Sequence, residues 1–243
     1  MIKIENLSKT YDTLTVLKNI NLDIKKGEVI VIIGPSGTGK STFLRCLNFL
    51  ETPTTGTISI NDLNIDSQNA SKKDIIQLRK LTSMVFQNYN LFANKTALEN
   101  IMEPLLVAQN KSKKEARIIA ESMLQLVGLS EKQNSYPCQL SGGQQQRVGI
   151  ARAMATSPEV ILFDEPTSSL DPELVREVLD VIKSLKEKHT TMLITTHEMD
   201  FARNIADCIL FMSDGIILEQ GSPEQIFTAP KHERTKAFLK SFI

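Results

Sequence analysis

The chain has 243 residues, enough for one α/β domain or one domain carrying an insertion, and its 28 Lys and Arg balance 28 Asp and Glu. Zero net charge leaves no electrostatic footprint for nucleic acid or an anionic membrane surface, and the scattered Cys46, Cys138 and Cys208 form neither a disulfide framework nor a metal knuckle. No apolar stretch approaches the ~20 residues of a membrane helix, and residues 1–6 do not read as a signal peptide, so the expectation is a soluble, cytosolic protein with reduced thiols.

Residues 2–22 alternate apolar and polar positions in short segments, as strands with one solvated face do. Tyr11 lies among small polar residues there, either as an amphipathic surface residue or as a ring on which a base could stack. After a Lys25-Lys26-Gly27 turn, residues 29–33 are apolar throughout and read as a strand buried on both faces.

The next residues, Gly34-Pro35-Ser36-Gly37-Thr38-Gly39-Lys40-Ser41-Thr42, organise the rest of the chain. They lie between that strand and a helix expected over 41–50, the setting a phosphate-binding loop requires. Curled glycine backbone turns successive N–H groups inward and the helix adds its positive end, so main-chain donors can hold a phosphate chain. Lys40 would reach the β- and γ-phosphates, and the Ser41 hydroxyl would ligate Mg²⁺.

Residues 57–60 alternate as an antiparallel strand, and residues 83–86 form a short apolar run ending at Gln87, which alone reads as a solvated strand end. From 88 to 156 the pattern is helical, with a capping box at Ser112–Glu115 and an apolar face ending at Gly128, as in an inserted helical subdomain. Within it, Ser141-Gly142-Gly143-Gln144 opens a helix and is a second candidate phosphate site.

A continuous apolar strand over 159–163 ends at Asp164-Glu165, two carboxylates where α/β sheets bind ligands. Asp164 fits the acidic residue that holds Mg²⁺ through water, and Glu165 a general base for an attacking water. Asp171-Pro172-Glu173 reads as a capped helix start, His197 ends a buried strand over 191–196, and residues 208–218 read as a closing hairpin. Ser222 caps what reads as a last short helix.

Together these residues resemble the ATP-binding subunit of ATP-binding cassette (ABC) transporters over essentially the whole chain, most specifically through Leu140-Ser141-Gly142-Gly143-Gln144. The resemblance implies an α/β P-loop NTPase fold: a parallel-sheet core with an antiparallel β subdomain over 1–87 and 157–243, and a helical subdomain over 88–156. It also implies ATP and Mg²⁺ as ligands, adenine stacked on Tyr11, Gln87 sensing Mg²⁺ and water, Ser169–Asp171 as a loop at the dimer interface, and His197 on the γ-phosphate. The family pairs two subunits head to tail, each phosphate loop facing the other's Ser141–Gln144, and docks on integral membrane permease subunits.

Phe92, residues 96–101 and Thr196-His197-Glu198-Met199-Asp200-Phe201-Ala202-Arg203 are similar to bacterial importers of polar amino acids. This implies a peripheral place on the cytoplasmic face of the cell membrane and an extracytoplasmic solute-binding protein as indirect partner. Alternatives are the ATPase of a lipid or peptide exporter, and a soluble cassette ATPase acting on DNA or ribosomes. The second is disfavoured by zero net charge, a single cassette and no long coiled-coil insertion. A non-hydrolysing scaffold is expected to lack Glu165 or His197.

Overall fold

A computed structural model describes residues 1–242. Strands β1 (Ile2–Tyr11), β2 (Leu14–Ile24), β4 (Thr55–Ile60) and β5 (Leu63–Asp66) form an antiparallel sheet in the order β2-β1-β4-β5. The second sheet joins β3 (Val29–Ile33), β6 (Thr82–Val85), β7 (Val160–Asp164), β8 (Met192–Thr195), β9 (Cys208–Ser213) and β10 (Ile216–Gly221) in the order β10-β9-β3-β8-β7-β6. It is parallel from β9 to β6, and only β10 runs against its neighbour.

The unbroken apolar run of β3 follows from burial on both faces. Ile30 and Ile32 pack with Phe43, Leu44 and Leu47 of α1 (Lys40–Leu47) and with the antiparallel sheet. Val29, Val31 and Ile33 face the other way, toward Val178, Ile182 and Leu185 of α6 (Pro172–Glu187) and Phe201 of α7 (Met199–Ile205). Thus α1, which carries Lys40 and Ser41, is wedged between the two sheets, and its position is fixed by core packing.

Helices α3 (Ala97–Val107), α4 (Lys113–Leu126) and α5 (Gly142–Ala155) lie between β6 and β7 in the chain and share a separate core, including Ile101, Leu105, Ala120, Leu124, Val148 and Ala151. All three open with a capping box, at Thr96–Glu99, Ser112–Glu115 and Ser141–Gln144.

The structure departs from the sequence expectations at four places. A helix, α2 (Lys72–Leu81), was not foreseen, although Ser71 and Asp74 form a reciprocal capping box at its start; its apolar face is short and buries only Leu78. Asp171 precedes α6, but its side chain makes no capping bond, and the main-chain carbonyl accepts from Leu174 N–H instead. The helix after Ser222, α8 (Pro223–Thr228), is followed by α9 (Glu233–Lys240), whose Leu239 joins the core and whose Phe238 packs on Phe211. The first helix also ends three residues earlier than expected, and Phe49 beyond it has a positive φ of 52°.

Candidate active site

Because β8 lies between β3 and β7, the residues following these strands gather along one sheet edge: Gly34–Gly39 after β3, His197 after β8, and Asp164 and Glu165 at the end of β7. Gln87 follows edge strand β6 and is exposed. In register, Thr195 pairs with Ile32 on one side and with Asp164 on the other.

Gly34 starts the phosphate loop with φ 143°, and a Cβ there would lie 2.2 Å from the Met212 carbonyl, so only glycine fits. Lys40 is 4% exposed, and its Nζ donates to the carbonyls of Gly34 and Pro35 at 2.8 and 2.9 Å. Burial lowers its pKa, while Glu165 and Asp164 pull it back up. Thr38 Oγ1 donates to the Pro35 carbonyl at 2.9 Å, closing the loop. Gly39 is the residue before α1, and Ser41 and Thr42 lie in its first turn, where N–H groups lack intrahelical partners. Ser36 and Gly37, on the outside of the loop, are exposed.

Asp164 is 3% exposed, and both its oxygens have partners: the Thr195 hydroxyl at 3.2 Å and the Arg45 guanidinium at 3.5 Å. The next residue leaves the strand sharply. Glu165 has φ 46°, and its N–H donates to both the Thr195 carbonyl and the Thr195 hydroxyl, at 3.1 and 2.9 Å. This kink sends the Glu165 carboxylate to His197, where Oε1 and Nε2 are 3.1 Å apart. Left-handed backbone at a non-glycine residue costs about 1–3 kcal/mol and persists only where its surroundings impose it, here through Thr195.

Tyr11 is partly exposed at the end of β1, with Lys9 Nζ 4.4 Å above its ring. Burial, and then the bond to Glu51, push the phenol up to about 12, with Thr42 opposing, so the ring stays uncharged at neutral pH.

Ser141 caps α5 by accepting from Gln144 N–H at 3.3 Å, and Gln144 Oε1 accepts from Ser141 N–H at 3.0 Å. A Cβ on Gly142 would meet Tyr89 Oη at 2.6 Å and Leu170 Cδ2 at 3.0 Å, and one on Gly143 would meet Leu174 Cβ at 3.2 Å. Tyr89 Oη donates to the Ser169 carbonyl at 3.1 Å, and Arg152 on α5 donates to the carbonyls of Tyr89 and Asn90. Residues 88–90 therefore touch both the start of α5 and the segment before Asp171, which is exposed. Among the described residues, no hydrogen bond or ion pair links Ser141–Gln144 to the phosphate loop of the same chain.

The donor set suits a hard cation delivered with a phosphate chain. Ser41, Gln87 and Asp164 offer only oxygen donors from neutral or carboxylate groups, and no cluster of three or more His, Cys, Asp or Glu among the described residues could form a protein-only cage. Thr195, Arg45 and Tyr89 are the residues that sequence reasoning missed. A threonine closing the apolar Met192-Leu193-Ile194 run, and an arginine one helical turn beyond Ser41, were the available signals.

The family model described as ABC transporter matches residues 17–168. The chain belongs to the ABC transporter family. A probable amino-acid import ATP-binding protein, YxeO, of Bacillus subtilis is 57% identical over 240 residues, covering 99% of this chain and 96% of that protein. The L-cystine import ATP-binding protein TcyN of the same organism is 55% identical over 240 residues, covering 99% and 93%. A dimeric post-hydrolysis structure of an ATP-binding cassette bound to ADP and Pi superposes with TM-score 0.82 at 37% identity, covering 92% of this chain and 99% of that one. The chain is thus an ABC-type ATPase, with the α/β cassette fold expected from its motifs.

Proposed function

We propose that the chain hydrolyses ATP to energise a membrane permease for uptake of a small polar solute, an amino acid. The observation that carries the ATPase mechanism is the placement of Lys40, Asp164, Glu165 and His197 on one sheet edge, while Ser141–Gln144 stays apart from it. Two phosphate-binding helix starts that do not meet within one chain make sense in a head-to-tail homodimer, where each phosphate loop faces the other subunit's Ser141–Gln144.

In this reading residues 34–42 wrap the phosphates, Lys40 leaves its two carbonyl partners for the β- and γ-phosphates, and Tyr11 stacks on adenine. Ser41, Gln87 and Asp164 hold Mg²⁺, which when bound neutralises phosphate charge. Glu165 takes a proton from the attacking water, and His197 keeps the Glu165 carboxylate and the γ-phosphate in line. Contacts to the γ-phosphate exist only before cleavage, so hydrolysis releases the dimer. Asp171 of each subunit contributes at the same interface.

Residues 88–156 act as the inserted subdomain that receives the permease, and residues 1–87 with 157–243 as the nucleotide-binding core. A cavity of about 440 Å³ between them, lined by Met84, Phe86, Phe92, Glu103, Val107 and Arg152, is shaped to seat a permease helix. Phe92 and Val107 are exposed there, at 45% and 70%. In this reading the subunit sits at the cytoplasmic face of the cell membrane, and an extracytoplasmic binding protein delivers the solute. No described helix is long and apolar enough to cross a membrane.

Relatives named for amino-acid, cystine, arginine and glutamine transport support the solute class. Uptake of labelled cystine, arginine and glutamine by cells lacking the chain tests it, with a sugar as control. Loss of an amino acid alone supports the reading; undiminished uptake of all, alongside full ATPase activity of the purified chain, contradicts it.

A further inference from the structure

Asp164 is held by more than its place on β7. Its Oδ2 faces the Arg45 guanidinium at 3.5 Å and its Oδ1 the Thr195 hydroxyl at 3.2 Å. Arg45 lies one turn after Ser41 on α1, on the same helix face, so the helix that presents the Ser41 hydroxyl also presents a cation to Asp164. Lys40 acts on Asp164 only through space, since its Nζ is bonded to the Gly34 and Pro35 carbonyls and makes no ion pair with the carboxylate. A buried carboxylate without a counter-charge is strongly disfavoured, and Arg45 is the residue that ion-pairs with it. The side chain of Arg45 is 46% exposed against 4% for that of Asp164, so the arginine can withdraw into solvent while the carboxylate cannot.

We infer that Arg45 is the built-in counter-cation of Asp164, a positioning residue with which an incoming divalent cation must compete. It keeps free divalent cation off Asp164 and leaves entry to a cation that arrives on the nucleotide's phosphates. Thr195 keeps the carboxylate aimed during the exchange. The inference rests on the assignment of Asp164 to the cation proposed above.

The test uses Mn²⁺ as the probe, with free Mn²⁺ counted by electron paramagnetic resonance on full-length protein without nucleotide. Arg45→Gln should tighten Mn²⁺ binding about tenfold or more, the scale expected when a unit charge at this distance is removed in partly screened surroundings. Arg45→Met, which keeps the aliphatic stem, should do the same, and Arg45→Lys should stay near wild type. Adding Asp164→Asn to Arg45→Gln should erase the gain. Equal Mn²⁺ affinity in wild type, Arg45→Gln and Arg45→Met, or a gain that survives Asp164→Asn, overturns the inference. Binding of Mn²⁺ with ATP separates the two layers: if Asp164→Asn alone leaves it unchanged, the assignment of Asp164 itself fails. If Asp164→Asn weakens it while Arg45 variants change nothing, only the role of Arg45 fails.

Discussion

Glu165 Oε1 and His197 Nε2 stand 3.1 Å apart across the ends of two adjacent parallel strands, β7 and β8. The pairing is a product of topology: β8 is inserted between β3 and β7, so the residue that follows it comes to lie between the phosphate loop and the acidic strand end. Sequence distance hides this, since the two residues are separated by all of α6.

The Thr195 hydroxyl should matter to turnover without touching substrate. Thr195→Val keeps shape but removes the bonds to Glu165 N–H and Asp164, and a lost hydrogen bond of about 1 kcal/mol corresponds to roughly a fivefold slower kcat. Thr195→Ser should restore most of the rate. A purely structural role of the hydroxyl would instead lower the melting temperature of Thr195→Val with kcat unchanged, so both quantities are measured together.

Gly142 and Tyr89 should be energetically coupled. A Cβ at Gly142 would lie 2.6 Å from Tyr89 Oη, so Gly142→Ala should displace residues 88–90 and weaken ATP-dependent dimerisation. Removing the hydroxyl in Tyr89→Phe leaves ring carbon Cζ, at 3.5 Å, as the nearest atom of that side chain, and the double variant should recover part of the loss. Recovery is incomplete because Leu170 Cδ2, at 3.0 Å, stays in the way. Strictly additive effects in sedimentation or light scattering would argue against the contact.

The three thiols should differ in reactivity. Burial pushes Cys46 up to about 12, whereas Cys138 is exposed, so a thiol reagent at pH 8 should label Cys138 rapidly and Cys46 only on unfolding. The same shift sets a direction for alkaline stability. Above pH 9 the unfolded chain loses the Cys46 proton while the folded chain keeps it, so the folded state binds more protons and stability falls as pH rises from 9.0 toward 12. The slope from this thiol is at most about 1.4 kcal/mol per pH unit and should flatten in Cys46→Ala, read by denaturant titration between pH 8 and 10.5.

Gly34 should tolerate no side chain. Gly34→Ala combines a φ of 143° with a Cβ 2.2 Å from the Met212 carbonyl, so β3 and β9 would have to part. Insoluble protein or a melting temperature lowered by several degrees is the expected outcome, checked by calorimetry.

Much of this was legible from residue patterns because the chemistry is local. Gly34 to Thr42 form one loop and helix start, Ser141 to Gln144 form another, and the apolar runs of β3, β7 and β8 announce strands buried on both faces. What stayed hidden is of two kinds. Helix α2 spaces Ile75, Leu78 and Leu81 at helical intervals, but that period is short, lies among charged residues and fully buries only Leu78, while α9 follows Pro230 closely enough to look like a tail. The partners Arg45, Thr195 and Tyr89 depend on which strands neighbour one another and on where loops meet α5, and neither is encoded in any single stretch.

The central claim is that Glu165 is the base in an ATP-closed dimer. It is tested most directly by light scattering and phosphate release on purified wild-type and Glu165→Gln protein with ATP and Mg²⁺. The account predicts that Glu165→Gln loses turnover by about 10²-fold or more, as removal of a general base does, and accumulates as an ATP-bound dimer. Hydrolysis at the wild-type rate by Glu165→Gln, or full-rate hydrolysis by a wild-type monomer at every dilution, would contradict it.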